Sequence, residues 1–135
     1  EAKITAELNE LNEFFQILKS AGADFLHCSN RRFWEGEFEP NGLNLAGIAK
    51  KATGLPTISV GSVGLDKDFI KLYAGDHQTQ TVDLEILHEK LNKSEFDLIA
   101  VGRALLSDPD WANKVQDGLE EKIIPFDKSF VENYV

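Results

Sequence analysis

Two glycine-marked junctions carry the residues best suited to chemistry in this chain. The apolar run Leu98-Ile99-Ala100-Val101 breaks at Gly102-Arg103, directly ahead of the helix-forming Ala104-Leu105-Leu106. A glycine lets an anion approach the backbone closely, a helix start offers N–H groups, and an arginine adds a permanent forked cation. That combination makes half of a phosphate clamp. The second junction ends the run Thr57-Ile58-Ser59-Val60 with Gly61-Ser62-Val63-Gly64, two glycines around small residues, and reads as the other half. A surface arginine paired with one of the 23 acidic residues is the plainer reading of Arg103, but its glycine neighbour favours the ligand role.

A second cluster, Arg31-Arg32-Phe33-Trp34, follows the run Phe25-Leu26-His27-Cys28-Ser29. Arginine beside aromatic rings suits a substrate pocket, a nucleotide-cofactor contact or a subunit interface, and of these the cluster reads as a pocket wall. His27 sits within an apolar strand-like run, where a hydrogen-bonded structural histidine is commoner than a catalytic one. Cys28 reads as a small buried residue more readily than as a nucleophile, although the neighbouring arginines would lower its pKa. Glu35, Glu37 and Glu39 alternate along a loop and read as solvated charge. His77 and His88 match no metal-ligand spacing, and no metal site is expected.

The elements that position these residues alternate. Leu8, Leu11, Phe15 and Leu18 recur at helical spacing between Thr5 and Ala21, with Gly22 as the stop. A strand follows at Phe25–Ser29, then a polar and aromatic loop through Pro40 and Asn41. Leu43–Thr53 is helix-like and closed by Gly54, and Pro56 introduces the strand Thr57–Val60. A helix is expected near Asp66, a polar stretch from Gly75 to Thr81, and a second helix capped by Asp83 through Leu84, Leu87 and Leu91. The third strand is Asp97–Val101. Ala104–Leu106 then turns through Ser107-Asp108-Pro109 into a helix from Asp110 to Gln116, closed by Gly118.

Nearly continuous apolar strands alternating with helices belong in a parallel sheet covered by helices, so the class is α/β. In such folds ligands bind at the C-terminal strand ends, where both glycine junctions and the arginine-aromatic cluster fall. Glycines after two successive strands match the phosphate site that (β/α)8 barrels build after their seventh and eighth strands. A stand-alone sheet of three parallel strands leaves unpaired edges and an under-covered face, so the chain reads as part of something larger.

Bulk properties narrow the partners. The chain has 135 residues, enough for one domain spanning 1–135, and 42% of them are hydrophobic. A net charge of −9 argues against sequence-independent binding to nucleic acid or to anionic membrane surfaces. The single cysteine cannot form an internal disulfide, no run approaches the ~18 apolar residues of a membrane span, and the N-terminal residues do not form a signal-peptide core. A cytoplasmic location is expected.

The segments HCSNRRFWEGEFE at 27–39, LNLAGIAKKATGLPTISVGSVG at 43–64 and DLIAVGRALLSDPDW at 97–111 resemble the C-terminal part of the old yellow enzyme family. Those proteins are FMN-dependent NADH:flavin oxidoreductases and ene-reductases on a TIM barrel. The resemblance runs from Gly22 to Asp117. It implies that the three strands are the sixth, seventh and eighth of a barrel, and that Gly61, Ser62, Val63, Gly64, Gly102 and Arg103 hold the FMN phosphate. It also implies NADH or NADPH as reductant and an activated alkene or similar acceptor as substrate, with Arg31, Arg32, Phe33 and Trp34 on one pocket wall. The family's flavin-ring contacts, substrate-anchoring His/Asn or His/His pair and proton-donating tyrosine lie on the first five strands and their loops, and nothing here replaces them: Tyr73 and Tyr134 fall outside the strand ends. The expectation is therefore a C-terminal half barrel, inactive alone, without catalytic residues of its own. Two alternatives stand: a non-catalytic phosphate-binding or assembly half barrel that self-associates over its open edges, or another FMN-dependent barrel enzyme.

Overall fold

A computed structural model describes residues 3–39, 42–65, 84–127 and 129–132. The expected helix near Asp66, the polar stretch from Gly75 to Thr81, the Asp83 cap, His77 and both tyrosines lie outside the described residues.

The chain opens with α1, Leu8–Ser20, which buries Leu11 and Phe15 and leaves Phe14 and Ile17 exposed. Leu8, expected on the buried stripe, is exposed instead. Strand β1, Leu26–Ser29, is followed by the loop to Asn44, and α2 then runs Leu45–Thr53. The Asn44 side-chain oxygen accepts the Gly47 N–H at 2.9 Å, an N-cap bond that satisfies one of the free donors of the first turn. At the other end Gly54 takes φ 71°, a left-handed cap that only glycine adopts at little cost. Strand β2 is Thr57–Val60, α3 is Glu85–Asn92 and β3 is Leu98–Ala100. The N-cap position of α3 is Leu84, one residue after the expected aspartate, and it supplies no side-chain bond. Helices α4, Ala104–Ser107, and α5, Trp111–Gln116, come next, then a 3-10 turn at Glu120–Lys122 and α6, Ser129–Glu132.

The fold is α/β with one sheet in the order β1-β2-β3, and both pairings are parallel. Leu26 faces Thr57 and Cys28 faces Ser59 in register, and all four are buried on the side where α2 packs. The opposite side follows from the two-residue period of a strand: it carries His27, Ser29, Ile58, Val60, Leu98 and Ala100. There His27 and Ser29 are exposed, as are Phe25 and Leu98 at 57% and 59%. One face of the sheet is thus covered and the other is open among the described residues. No helix among them is long and apolar enough to cross a membrane.

The core joins Leu11, Phe15, Leu26, Cys28, Phe33, Ile48, Leu87, Phe96, Trp111 and Phe126, from α1, β1, α2, α3, α5 and the segments between elements. After β3 the chain is tied down by Asp108, which is 2% exposed. Its carboxylate accepts the Ile124 N–H at 2.8 Å, the Lys114 ammonium at 2.7 Å and the Asp110 N–H at 3.2 Å. Burial alone would raise its pKa, but the Lys114 hydrogen bond and these backbone donors hold it below the usual carboxylate value. At the base of β3, Asp97 is likewise lowered, first by its bond to Lys50 and then by the Thr57 N–H.

Both depressed carboxylates contribute stability that is complete above their unfolded pKa near 3.9 and is lost as pH falls below it. Circular-dichroism melts should show stability dropping as pH falls below about 4, with a weaker acid dependence in Asp108→Asn. An identical pH profile in that variant would contradict the role given to Asp108.

Candidate functional site

Parallel pairing places the C-terminal ends of β2 and β3 side by side, because Val60 is opposite Ala100. The turn Gly61–Gly64 and the junction Gly102-Arg103 therefore leave the sheet from neighbouring strands, one inter-strand spacing of ~4.8 Å apart at their origins. These are the two segments that the sequence paired.

The first is a turn in unusual backbone geometry. Gly61 has φ 151°, Ser62 φ 51° and Gly64 φ 69°. A side chain at Gly61 would meet the Asn30 carbonyl oxygen at 2.4 Å, so glycine is required there for space as well as for conformation. Ser62 is the non-glycine residue held left-handed, which costs roughly 1 kcal/mol and concentrates at functional sites. What holds it is the loop after β1. The Asn30 N–H donates to Val60 O at 2.8 Å, the Phe33 N–H to Gly61 O at 3.0 Å, and the Ser62 hydroxyl to Arg31 O at 3.1 Å. The Ser62 carbonyl accepts the Leu65 N–H at 3.1 Å.

The Gly61 and Ser62 carbonyls are therefore occupied, whereas the N–H groups of Ser62, Val63 and Gly64 donate to no backbone carbonyl among the described residues. A curved run of backbone with donors left over suits an anion. At the second junction Gly102 is exposed with open space around it, and Arg103 is half-buried. The Gly102 and Arg103 carbonyls accept from Leu105 and Leu106 at 2.9 and 3.0 Å, so α4 starts at the junction itself.

A buried polar network fixes the level at which these ends stop. Ser59, 0% exposed, takes the Asn30 side-chain amide at 3.0 Å and the Asn44 amide at 3.1 Å on its hydroxyl oxygen. The Asn30 amide also reaches Cys28 O at 3.1 Å, and its side-chain oxygen accepts the Leu45 N–H at 3.1 Å. The Asn44 amide reaches Phe33 O at 2.7 Å. One strand residue thus ties the end of β1, the following loop and the start of α2 together. None of the three was singled out in the sequence. Asn44 had a legible signal, an asparagine immediately before a helical run; the Asn30–Ser59 pair, 29 residues apart, had none.

The cluster after β1 divides. Phe33 is buried in the core at 4% exposure and packs edge-on against Trp34, with ring centroids 5.2 Å apart at 88°. Trp34 is half-buried, Arg31 is exposed, and Arg32 pairs with Glu35 at 2.5 Å. Phe33 therefore anchors the loop, and the other three residues form its outer surface. His27 lies on the open face of the sheet, away from the glycine turn's buried side. His88 is on α3, where it meets Glu120 at 3.0 Å. A cleft of about 590 Å³ lies between α1, α2 and the loop, lined by Leu8, Asn12, Phe38, Leu43 and Lys51, and includes none of the glycine-turn residues.

No protein-family model matches the chain.

Two measurements follow from this geometry. Cys28 is buried, and burial pushes its thiol up to about 11. Iodoacetamide at pH 8 should label the native chain slowly and the urea-unfolded chain rapidly; equal rates would contradict the burial. Because the folded chain keeps this proton longer than the unfolded one, the same thiol lowers stability as pH rises above about 9. Asn44→Ala removes the helix cap and two loop bonds. It should lower stability by about 2–3 kcal/mol, read as a lower denaturant midpoint at unchanged slope; an unchanged midpoint would contradict the network's role.

Proposed function

We propose that this chain is the phosphate-holding part of an FMN-dependent NAD(P)H oxidoreductase of the old yellow enzyme type, with activated alkenes or similar acceptors as substrates. The observation that carries the reading is the pairing of a donor-rich glycine turn, Gly61–Gly64, with Gly102-Arg103 at adjacent parallel strand ends. The residues present fit the phosphate end of FMN: the Gly61 and Ser62 carbonyls are occupied, the turn's spare N–H groups suit an oxyanion, and a guanidinium stands on the neighbouring strand end. When bound, FMN would supply the hydride chemistry between NAD(P)H and the acceptor. The chain's own share is to fix the phosphate through Ser62, Val63, Gly64, Gly102 and Arg103 and to present Arg31, Arg32 and Trp34 on one wall of the pocket.

In this reading β1, β2 and β3 are the sixth to eighth strands of a (β/α)8 barrel, and the open face of the sheet faces the barrel interior. The exposed Phe25 and Leu98 on that face support further strands closing over it. The same residues support a second reading, an assembly module in which two copies cover their open faces. Light scattering separates the two: a concentration-dependent dimer favours the assembly module, and a monomer at all concentrations removes it.

Flavin fluorescence titrations test the cofactor. FMN should bind at least about tenfold more tightly than riboflavin, which lacks the phosphate, and Arg103→Ala should erase most of that difference. Little or no NADH turnover is expected from the chain alone. Equal affinity for FMN and riboflavin, or binding of neither, would overturn the proposal.

A further inference from the structure

Trp111 opens α5, and its side chain is only 4% exposed. Its indole N–H is closed to water and has no hydrogen-bond partner among the described residues. Buried indoles normally find an acceptor, because an unpaired donor forfeits its hydration without return. The position of this one is informative. A Cβ built on Gly64 would lie 3.3 Å from Trp111 Nε1 and 3.8 Å from two carbons of the ring, so the nitrogen edge of the indole lies against the last residue of the glycine turn.

At the start of that turn the acceptors are already engaged. Gly61 O takes the Phe33 N–H, Ser62 O takes the Leu65 N–H, and the Ser62 hydroxyl is spent on Arg31 O. Among the described residues, the backbone N–H groups of Ser62, Val63 and Gly64 and the indole N–H are left as donors at the turn. Donors on two elements, one after β2 and one after β3, are satisfied together by a ligand bearing several acceptor oxygens. The glycine at 64 belongs to the same arrangement, since any larger residue would press on the indole edge.

We propose that the Trp111 indole N–H is a ligand of the oxyanion held in the Gly61–Gly64 turn, and that the oxyanion is a phosphate or phosphate monoester. The inference rests on the reading of the turn as an anion site and adds a neutral donor on a separate helix. Because the N–H is closed to water in the ligand-free chain, binding includes a local adjustment of the turn around Gly64. Trp111 is thereby also a reporter: its own N–H senses the occupant.

Trp111→Phe tests this, since it keeps the ring's bulk and removes the donor. Inorganic phosphate is the probe, with affinity read by titration calorimetry on the wild-type chain and the variant. The wild type should bind phosphate and the variant about tenfold more weakly. In the wild type, the Trp111 indole proton resonance should move downfield along the same saturation curve as the turn's backbone amides. Equal affinity in both chains with an unmoved indole resonance overturns the indole's role and leaves the anion site standing. Failure of the wild type to bind phosphate overturns both. Should the variant not fold, the wild-type indole resonance decides alone, by moving or staying as phosphate is added.

Discussion

The end of the sheet depends on one buried hydroxyl. Ser59 sits at zero exposure on β2 and accepts the side-chain amides of both Asn30 and Asn44. Through Asn30 it fixes where β1 stops, and through Asn44 it fixes where α2 starts and where the Phe33 carbonyl points. Buried polar groups are costly when half-satisfied and strongly orienting when satisfied. Here the satisfied network holds the loop 30–33 in place, and that loop in turn grips Val60, Gly61 and Ser62 in their unusual geometry. The strained turn therefore does not stand alone: it is imposed by neighbours that are themselves locked.

This explains why the first half of the glycine turn has its acceptors engaged. The Gly61 and Ser62 carbonyls and the Ser62 hydroxyl are engaged on the β1 side or within the turn, while the N–H groups of Ser62, Val63 and Gly64 meet no backbone carbonyl among the described residues. The Gly102-Arg103 junction lies on the other side, brought there by the parallel register of β2 with β3. After β3, Asp108 gathers Lys114, Asp110 and Ile124 and fixes the start of α5, so Trp111 is set against Gly64. Two polar clusters, one centred on Ser59 and one on Asp108, thus approach the turn from opposite directions. The uncovered face of the sheet, with Phe25, His27 and Leu98, is the part of the molecule that these interactions leave without a partner among the described residues.

Local signals were legible where they rested on local physics. The strand Thr57–Val60 lies between Pro56 and Gly61 as its apolar run requires, α2 ends at Gly54, and the parallel class follows from apolar strands alternating with helices. The two glycine junctions were also visible, since a glycine and an arginine at strand ends carry their chemistry in their residue types. Long-range partnerships were not. Nothing near Ser59 announces that two asparagines will meet on its hydroxyl, and Phe33, read with its arginine and tryptophan neighbours as a pocket wall, is taken into the core by packing that only the tertiary fold decides. Leu8 keeps its helical spacing yet stays exposed, because the stripe on α1 narrows to Leu11 and Phe15 where α2 covers it. Trp111 carries no signal of its own beyond lying in the helical run from Asp110 to Gln116; only its distance to Gly64 makes its nitrogen significant.

The central claim is that the Gly61–Gly64 turn and the Gly102-Arg103 junction form one anion site. Backbone amide shifts of the isotope-labelled chain, followed while inorganic phosphate is added, test it most directly. The account predicts that the amides of Ser62, Val63, Gly64, Gly102 and Arg103 shift together along one saturable curve, while the lysine-bearing surfaces of α1 and α3 stay still. Shifts in only one of the two segments, or weak unsaturable shifts spread over surface lysines, would contradict it.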